Sequence, residues 1–396
     1  MKFPKRSQYA TLFSACLLGM VTIARFLHGG IGVTFWYEMA LKIFVLYAAI
    51  LCDPQDFIGR FLRVVYVMAV ISLFFWVFQI IGIPLQKYLF TTSNTARYWR
   101  IYSEAGVYTT NYASCSGFLL SSFITNEPMR NVGIYTEPGM YQSVLNSAIF
   151  LLLFFSKESK LDSKTIKKYF VVLTIALLST QSTSGYMGYA VIVLSVLFVK
   201  NLQNEVRWKC YAIEIIILAA LGLIADFSFR GKDSLLNTAI LEKLFTTSGE
   251  FSIAAENSTG IYRLATIYSA ISAMWQHPLG LGVDGWVQFR SANPLAGPGG
   301  NPLRLGAILG VVPFLITVVW IFYPIKYMRK GMVPALVFVF LYFNTALAQT
   351  SVVYPALILV PAYVYITRNS RGKENHNQPL DTGSNRRGNI AITQNK

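Results

Sequence analysis

Residues 137–200 read EPGMYQSVLNSAIFLLLFFSKESKLDSKTIKKYFVVLTIALLSTQSTSGYMGYAVIVLSVLFVK, and this stretch decides the fold. Three apolar blocks, about 138 to 155, 169 to 181 and 184 to 199, are separated first by a lysine-rich connection and then by the polar run STQSTSG. Runs of this kind suit a hydrocarbon slab of about 30 Å. Inside lipid every backbone polar group needs a partner within the protein, which helices supply segment by segment. The alternation of a lysine-rich connection with an uncharged one also orients the blocks, because short basic connections stay on the cytoplasmic side.

Extending that reading in both directions gives about ten spans: 9 to 26, 35 to 51, 61 to 83, 138 to 155, 169 to 181, 184 to 199, 211 to 227, 305 to 323, 332 to 347 and 352 to 366. With Lys2, Lys5 and Arg6 inside, the basic groups all fall on one side. They are Arg60 and Arg63; Lys157, Lys160, Lys164, Lys167 and Lys168; Lys200, Arg207 and Lys209; Lys326, Arg329 and Lys330; and Arg368, Arg371 and Lys373. The expected class is an all-α polytopic membrane protein with both ends in the cytoplasm. One membrane domain covers 1–367, and a disordered cytoplasmic tail, 368–396, follows. The first apolar run lacks a small-residue cleavage site after Arg25 to Gly30 and reads as an uncleaved signal anchor.

Composition agrees. Hydrophobic residues make up 54% and charged residues 13%, with mean hydropathy +0.47. A soluble domain carries about a quarter charged residues, so an ordinary soluble enzyme is excluded. The net charge of +16 does not indicate a nucleic-acid partner, because the cations sit in short clusters between apolar blocks. Cys16 lies in an apolar block, Cys52 and Cys210 at cytoplasmic ends and Cys115 in an outer loop, which gives neither a disulfide framework nor a metal cluster.

Two outer connections are long, about 84–137 and 228–304, and loops of that length commonly carry function. In the second, Ser258-Thr259 precede a run with helical apolar spacing (Ile261, Leu264, Ile267, Tyr268, Ile271, Met274, Trp275). It reads as an amphipathic helix lying on the membrane or on the bundle, ended by Pro278, Gly280 and Gly282.

The loops hold Arg97, Arg100, Arg130, Arg263, Arg290 and Arg304, cations that orientation does not explain. A guanidinium binds phosphate bidentately at any working pH; the alternative for each is solvated loop charge. Glu137 precedes Pro138, and Pro favours the first helical position, so Glu137 stands at an outer helix N-terminus as either a proton acceptor beside Arg130 or a simple cap. His277 ends the loop helix, as base, acid, pyrophosphate ligand or helix terminator. In STQSTSG, Gln181, Ser182 and Ser184 either hydrogen-bond sugar hydroxyls or make a turn.

Three pieces in this order, RNVGIYTEPGMYQ (130–142), STQSTSG and GIYRLATIYSAISAMWQHPLGLG (260–282), resemble the Wzy-type O-antigen and exopolysaccharide polymerases, relatives of the O-antigen ligases. No outer Arg has Gly at the R-x10-G spacing of some polymerases, and His277 precedes Pro where the ligases carry a small polar residue.

The resemblance implies a GT-C-like membrane glycosyltransferase of the bacterial cytoplasmic membrane that joins undecaprenyl-pyrophosphate-linked repeat units into O-antigen, capsule or exopolysaccharide. Glu137 and His277 would act as catalytic residues, and Arg130, Arg263, Arg290 and Arg304 would hold the pyrophosphate. Gln181, Ser182 and Ser184 would touch sugar. Partners would be the lipid-linked glycans, the bilayer, a chain-length regulator and a flippase. No metal and no cofactor is expected. The alternatives are an O-antigen ligase or a transporter of lipid-linked sugars.

Overall fold

The protein is seen in a computed structural model that describes residues 33–83, 85, 97–103, 106–114, 121–124, 129–135, 137–199, 205–231, 259–292, 303–328, 330–348 and 355–367. The expected first span and the tail lie outside them. Helices α1 (Val33–Cys52) and α2 (Phe57–Ile80) come first, then strands β1 (Arg97–Ser103), β2 (Gly106–Ser114) and β3 (Ser122–Ile124). Next come α3 (Pro138–Phe154), the single turn α4 (Ser156–Ser159), α5 (Ser163–Ser179), α6 (Thr183–Phe198) and α7 (Glu205–Arg230). The remainder is α8 (Thr259–Gln276), α9 (Gly282–Ser291), α10 (Arg304–Leu309), α11 (Val311–Phe322) with a 3-10 turn to Tyr327, α12 (Met332–Ala348) and α13 (Pro355–Thr367).

Local chemistry sets the boundaries. Pro138 occupies the first turn of α3, where its missing N–H costs nothing. The Asp162 carboxylate accepts from the Lys164 and Thr165 amides at 3.1 and 3.2 Å to start α5. The Ser182 hydroxyl accepts from the Gly185 amide to start α6.

α3 is the axis. Every residue from Tyr141 to Phe154 is buried, and α2, α5, α6, α12 and α13 pack around it. α2 is long and apolar enough to cross a membrane, and it leaves Val64, Val67, Phe74 and Val77 exposed. At 1.5 Å per residue its 24 residues span about 36 Å. Among the described residues it alone is both long and apolar enough; α3, α6, α11 and most of α12, with parts of α1 and α13, are apolar but shorter.

The bundle has two distinct ends. At one, Arg60 pairs with Asp53 at 2.9 Å, Lys160 with Asp56 at 2.7 Å and Lys330 with Glu158 at 2.7 Å. Lys168 lies over the Tyr66 ring, and Lys167 over that of Tyr211 on α7. Arg60, Lys160, Lys167, Lys168 and Lys330 thus gather where the α1–α2 turn, the α3–α5 connection and the start of α12 meet. At the other end α2 finishes, the 129–137 segment enters α3, and α5 turns into α6.

Two features depart from the expectation. The first long loop carries a three-stranded antiparallel sheet in the order β1-β2-β3, so helices are not the whole of the described structure. The block 305–323 is also broken: Gly310, at φ +97°, separates α10 from α11. At the break two stretches of the chain, 278–281 and 307–311, cross. The Val311 amide donates to the Pro278 carbonyl at 2.9 Å and the Leu281 amide to that of Ala307 at 2.9 Å. Gly280, at φ +91°, lies against Ile308 and Gly310 so closely that a Cβ would stand 2.5 Å from the Ile308 oxygen. Both the φ and the contact exclude larger residues.

Gly280→Ala is therefore expected to destabilise the folded protein by about 2–3 kcal/mol, from backbone strain plus overpacking. Gly222→Ala, which meets open space on α7, should be neutral or slightly stabilising. Thermal unfolding of the two purified variants reads the difference.

Candidate functional site

The segment entering α3 is fastened by Asn131. Its amide donates to the Ser179 carbonyl at 2.9 Å, and its Nδ2 donates to Ser179 Oγ at 2.9 Å and Ser72 Oγ at 3.3 Å. Its Oδ1 accepts from the Gly133 amide at 3.0 Å. The residue is buried and so bridges α2 and α5 through one side chain. Ser72 is also 2.7 Å from the Tyr141 hydroxyl, which closes the contact with α3. The Trp76 indole donates to the Met129 carbonyl at 2.9 Å.

Arg130 and Glu137 stand on either side of this clamp. The Arg130 Nε donates to the Thr180 carbonyl at 3.3 Å, tying the guanidinium to the turn after α5. Glu137 precedes α3 in extended backbone, and its side chain makes no capping hydrogen bond. The capping alternative is thereby not what the geometry shows. Burial pushes the Glu137 carboxyl above the usual range, and the Arg130 charge partly offsets this. Sequence reasoning had placed these two groups together, and the structure does the same.

The STQSTSG run is a turn. Gln181 takes a left-handed conformation at φ +48°, and Ser182 caps α6. Ser184 reaches toward α3 and lies 3.2 Å from Ser182 Oγ. Behind it is a polar seam that sequence reasoning missed. Asn344 on α12 donates to the Ser184 carbonyl at 2.6 Å, and Asn146 on α3 donates to the Gly185 carbonyl at 3.1 Å and to Gln142 Oε1 at 2.9 Å. Gly185 and Gly188 allow this approach, since a Cβ on Gly188 would stand 2.7 Å from Asn146 Nδ2. The available signal was three amides inside apolar blocks, read there as part of the spans.

A second basic group lies on the other long loop. Arg290 ends α9 and Arg304 begins α10. Burial, and for Arg304 also the neighbouring Arg290 charge, lowers both guanidinium pKa values. Two like charges held near one another and partly shielded from water suit a polyanion. His277 is exposed, its amide closes α8 on Ala273, and its ring meets Phe289 edge-on at 6.1 Å. Arg263 lies on α8 and Arg97 and Arg100 on β1; their side chains are outside the described part. The structure thus brings Arg130 to Glu137 and Arg290 to Arg304. Among the described residues no group of His, Cys, Asp or Glu has metal-site geometry.

A helix of membrane-spanning length within an apolar helical bundle points to a membrane protein, with Glu137 and Arg130 close together at one bundle end. Residues 169–305, about a third of the chain, match the family described as O-Antigen ligase (Wzy_C). That match is consistent with the O-antigen polymerase/ligase superfamily and runs from α5 through the polar turn, α8 and Arg304. Neither the curated proteins nor the solved structures contain a match to this chain.

The raised Glu137 pKa has a stability consequence. The folded state holds this proton more tightly than the unfolded chain, so stability is highest below the unfolded value and declines as pH rises through the raised folded one. Glu137→Gln removes that loss. It is expected to unfold at the same or a higher temperature than the wild type at pH 8, with the gap closing near pH 4. A variant markedly less stable at pH 8 would make Glu137 a structural anchor.

Proposed function

We propose that this protein polymerises lipid-linked oligosaccharide repeat units on the outer face of a bacterial cytoplasmic membrane, as a multi-pass enzyme of GT-C-like architecture. The family match over 169–305 carries this reading, and the Arg130–Glu137 pair at the bundle end opposite the lysines supports it. The basic end then faces the cytoplasm, and the Glu137 end faces the leaflet where lipid-pyrophosphate glycans are presented. Partners would include a flippase and a chain-length regulator.

In this mechanism a sugar hydroxyl of one lipid-linked repeat attacks the anomeric carbon of a chain held on a second lipid. The new glycosidic C–O bond forms as the bond to the pyrophosphate oxygen breaks. The hydroxyl proton passes to the Glu137 carboxylate or to His277. Arg130 and Arg263, with Arg290 and Arg304, stabilise the departing pyrophosphate-lipid. Gln181, Ser182 and Ser184 hold sugar hydroxyls at the polar turn. The family description itself names a ligase, which would use the same donor and transfer to a different acceptor. Extracts of a deletion strain separate the two: loss of a polymerase leaves surface lipid capped with a single repeat, and loss of a ligase leaves it uncapped.

Purified protein given defined undecaprenyl-pyrophosphate repeat units should form long glycan with or without a chelator. Arg130→Ala and Arg263→Ala should abolish it while the protein still inserts; wild-type chain length in both would remove the pyrophosphate assignment. Losing one charge-stabilising contact of this kind costs about 10²–10³ in rate.

The pH profile tests the base. With Glu137 ionised as acceptor, turnover falls as pH drops through its raised pKa. In a conservative Arg130→Gln variant with residual activity the lowering influence is gone, so that acid limb should move to higher pH. An unmoved limb assigns the proton to another group. In a variant with Cys16 and Cys115 replaced by Ser, Cys52 and Cys210, both free and exposed near the basic end, should resist a membrane-impermeant maleimide in intact cells and react after permeabilisation. Labelling of either in intact cells would invert the orientation.

A further inference from the structure

α8 is turned inside out for a helix in water. Thr266, Ser269, Ala270 and Ala273 share one face and are buried, the two alanines completely. Tyr268, Ile271 and Trp275 share the opposite face and are exposed, Trp275 to 89%. A helix on an aqueous surface buries its large apolar side chains and shows its small polar ones. The reverse, small residues inward and large apolar ones outward, is how helices pack where the surroundings are hydrocarbon. The aromatic members are Trp and Tyr, the types that sit at a membrane's polar boundary.

The exposed face continues onto a neighbour. Leu279, also exposed, follows α8 in the turn whose Pro278 carbonyl accepts from the Val311 amide at the start of α11. From there Val312, Leu315, Ile316 and Val319 leave one flank of α11 exposed. The backbone crossing at Gly280 and Gly310 holds the two helices at this junction, with exposed apolar side chains on both sides of it: Trp275 and Leu279 on one, Val312 and Leu315 on the other.

We infer that α8 is embedded in the bilayer boundary, its Tyr268–Ile271–Trp275 face covered by phospholipid rather than by water or protein. The inference rests on the membrane reading proposed above and goes beyond it: the outer loop is expected only to lie outside the spans, on the membrane or on the bundle. Because Arg263 and His277 belong to this helix and its turn, embedding fixes them at headgroup depth, level with any lipid-linked diphosphate.

The test uses the full chain in phospholipid nanodiscs, with its four cysteines replaced by Ser and a nitroxide placed at Trp275→Cys, Ile271→Cys, Ser269→Cys or Val319→Cys. Collisions with oxygen and with a water-soluble nickel chelate are read by power saturation. The labels at 275 and 271 are expected to meet oxygen in preference to the chelate, with a ratio in the range read at 319, while the label at 269 meets neither. Chelate access at 275 and 271 with a lipid-like reading at 319 would overturn the inference and leave the membrane reading intact. Access to neither reagent would put protein over this face, whether residues 232–258, 293–302 or a second copy, and would equally overturn it. Chelate access at 319 would instead sink the membrane reading itself. Two labelled positions on the face guard against one variant failing to fold.

Discussion

Asn131 holds the arrangement on which the candidate site depends. A buried amide with its donors and acceptor satisfied across two helices specifies one relative position for them, since any slip leaves polar atoms without partners in an apolar interior. Its bonds to Ser179 and Ser72 fix the segment 129–137 against α5 and α2. Residues 129–135 are irregular backbone, which lacks the internal ladder of a helix and needs such fastening when it is packed. Arg130 and Glu137 inherit their positions from it.

Much of the helical layout was legible in the sequence. The blocks 138 to 155, 184 to 199 and 332 to 347 match α3, α6 and α12 to within a residue or so, because Pro138, the Ser182 cap and Gly331 punctuate them. α5 begins six residues earlier than hydropathy suggests. Its first turns carry Lys164, Lys167 and Lys168, which a hydropathy reading rejects and which Asp162 nonetheless starts as helix. The break at Gly310 was missed for the opposite reason: an apolar average runs through a single glycine whose φ no window records. In the first loop, Arg97–Ser103 and Gly106–Ser114 are rich in aromatic and β-branched residues, a strand composition that carries no helical or spanning period. The Glu137–Arg130 pairing was readable because it is local. The Thr180 partner of Arg130, fifty positions away, was not, and neither was the inverted face of α8, since a helical period does not say which face is covered.

The two ends of the bundle solve different electrostatic problems. At the basic end Lys330 and Glu158 are well shielded, with the ammonium within 2.7 and 2.9 Å of the two carboxylate oxygens, so each charge leaves water only in company. Such a pair adds little net stability but penalises rearrangements that would leave either charge alone. It therefore ties α4 to the start of α12. At the opposite end burial dominates the Glu137 carboxyl even with Arg130 beside it. The carboxyl remains raised despite the neighbouring guanidinium, which means desolvation outweighs the attraction there. A carboxylate in that balance is more basic than a solvated one, a property useful for accepting a proton and useless for holding helices together.

α3 joins the two ends and changes character along its length. Its first half presents Gln142, Ser143, Asn146 and Ser147 to neighbouring helices, and its second half is Ile149 through Phe154 without a polar side chain. The polar half faces the small residues of α6 and the Asn344 of α12, where close approach lets amides reach backbone carbonyls. One acceptor, Asn146 Oδ1, stays buried without a partner, at a cost of about 1–3 kcal/mol. A helix chosen for stability alone would carry Leu at that position. The cost is borne about two and a half turns from Glu137 and nowhere in the half of α3 near the lysines, so the polar side chains of this helix gather at the end where Glu137 stands. The polar seam supplies fixed dipoles beside the turn of Ser182 and Ser184, in surroundings that have already excluded bulk water, which is the condition under which such dipoles act most strongly on charge developing nearby.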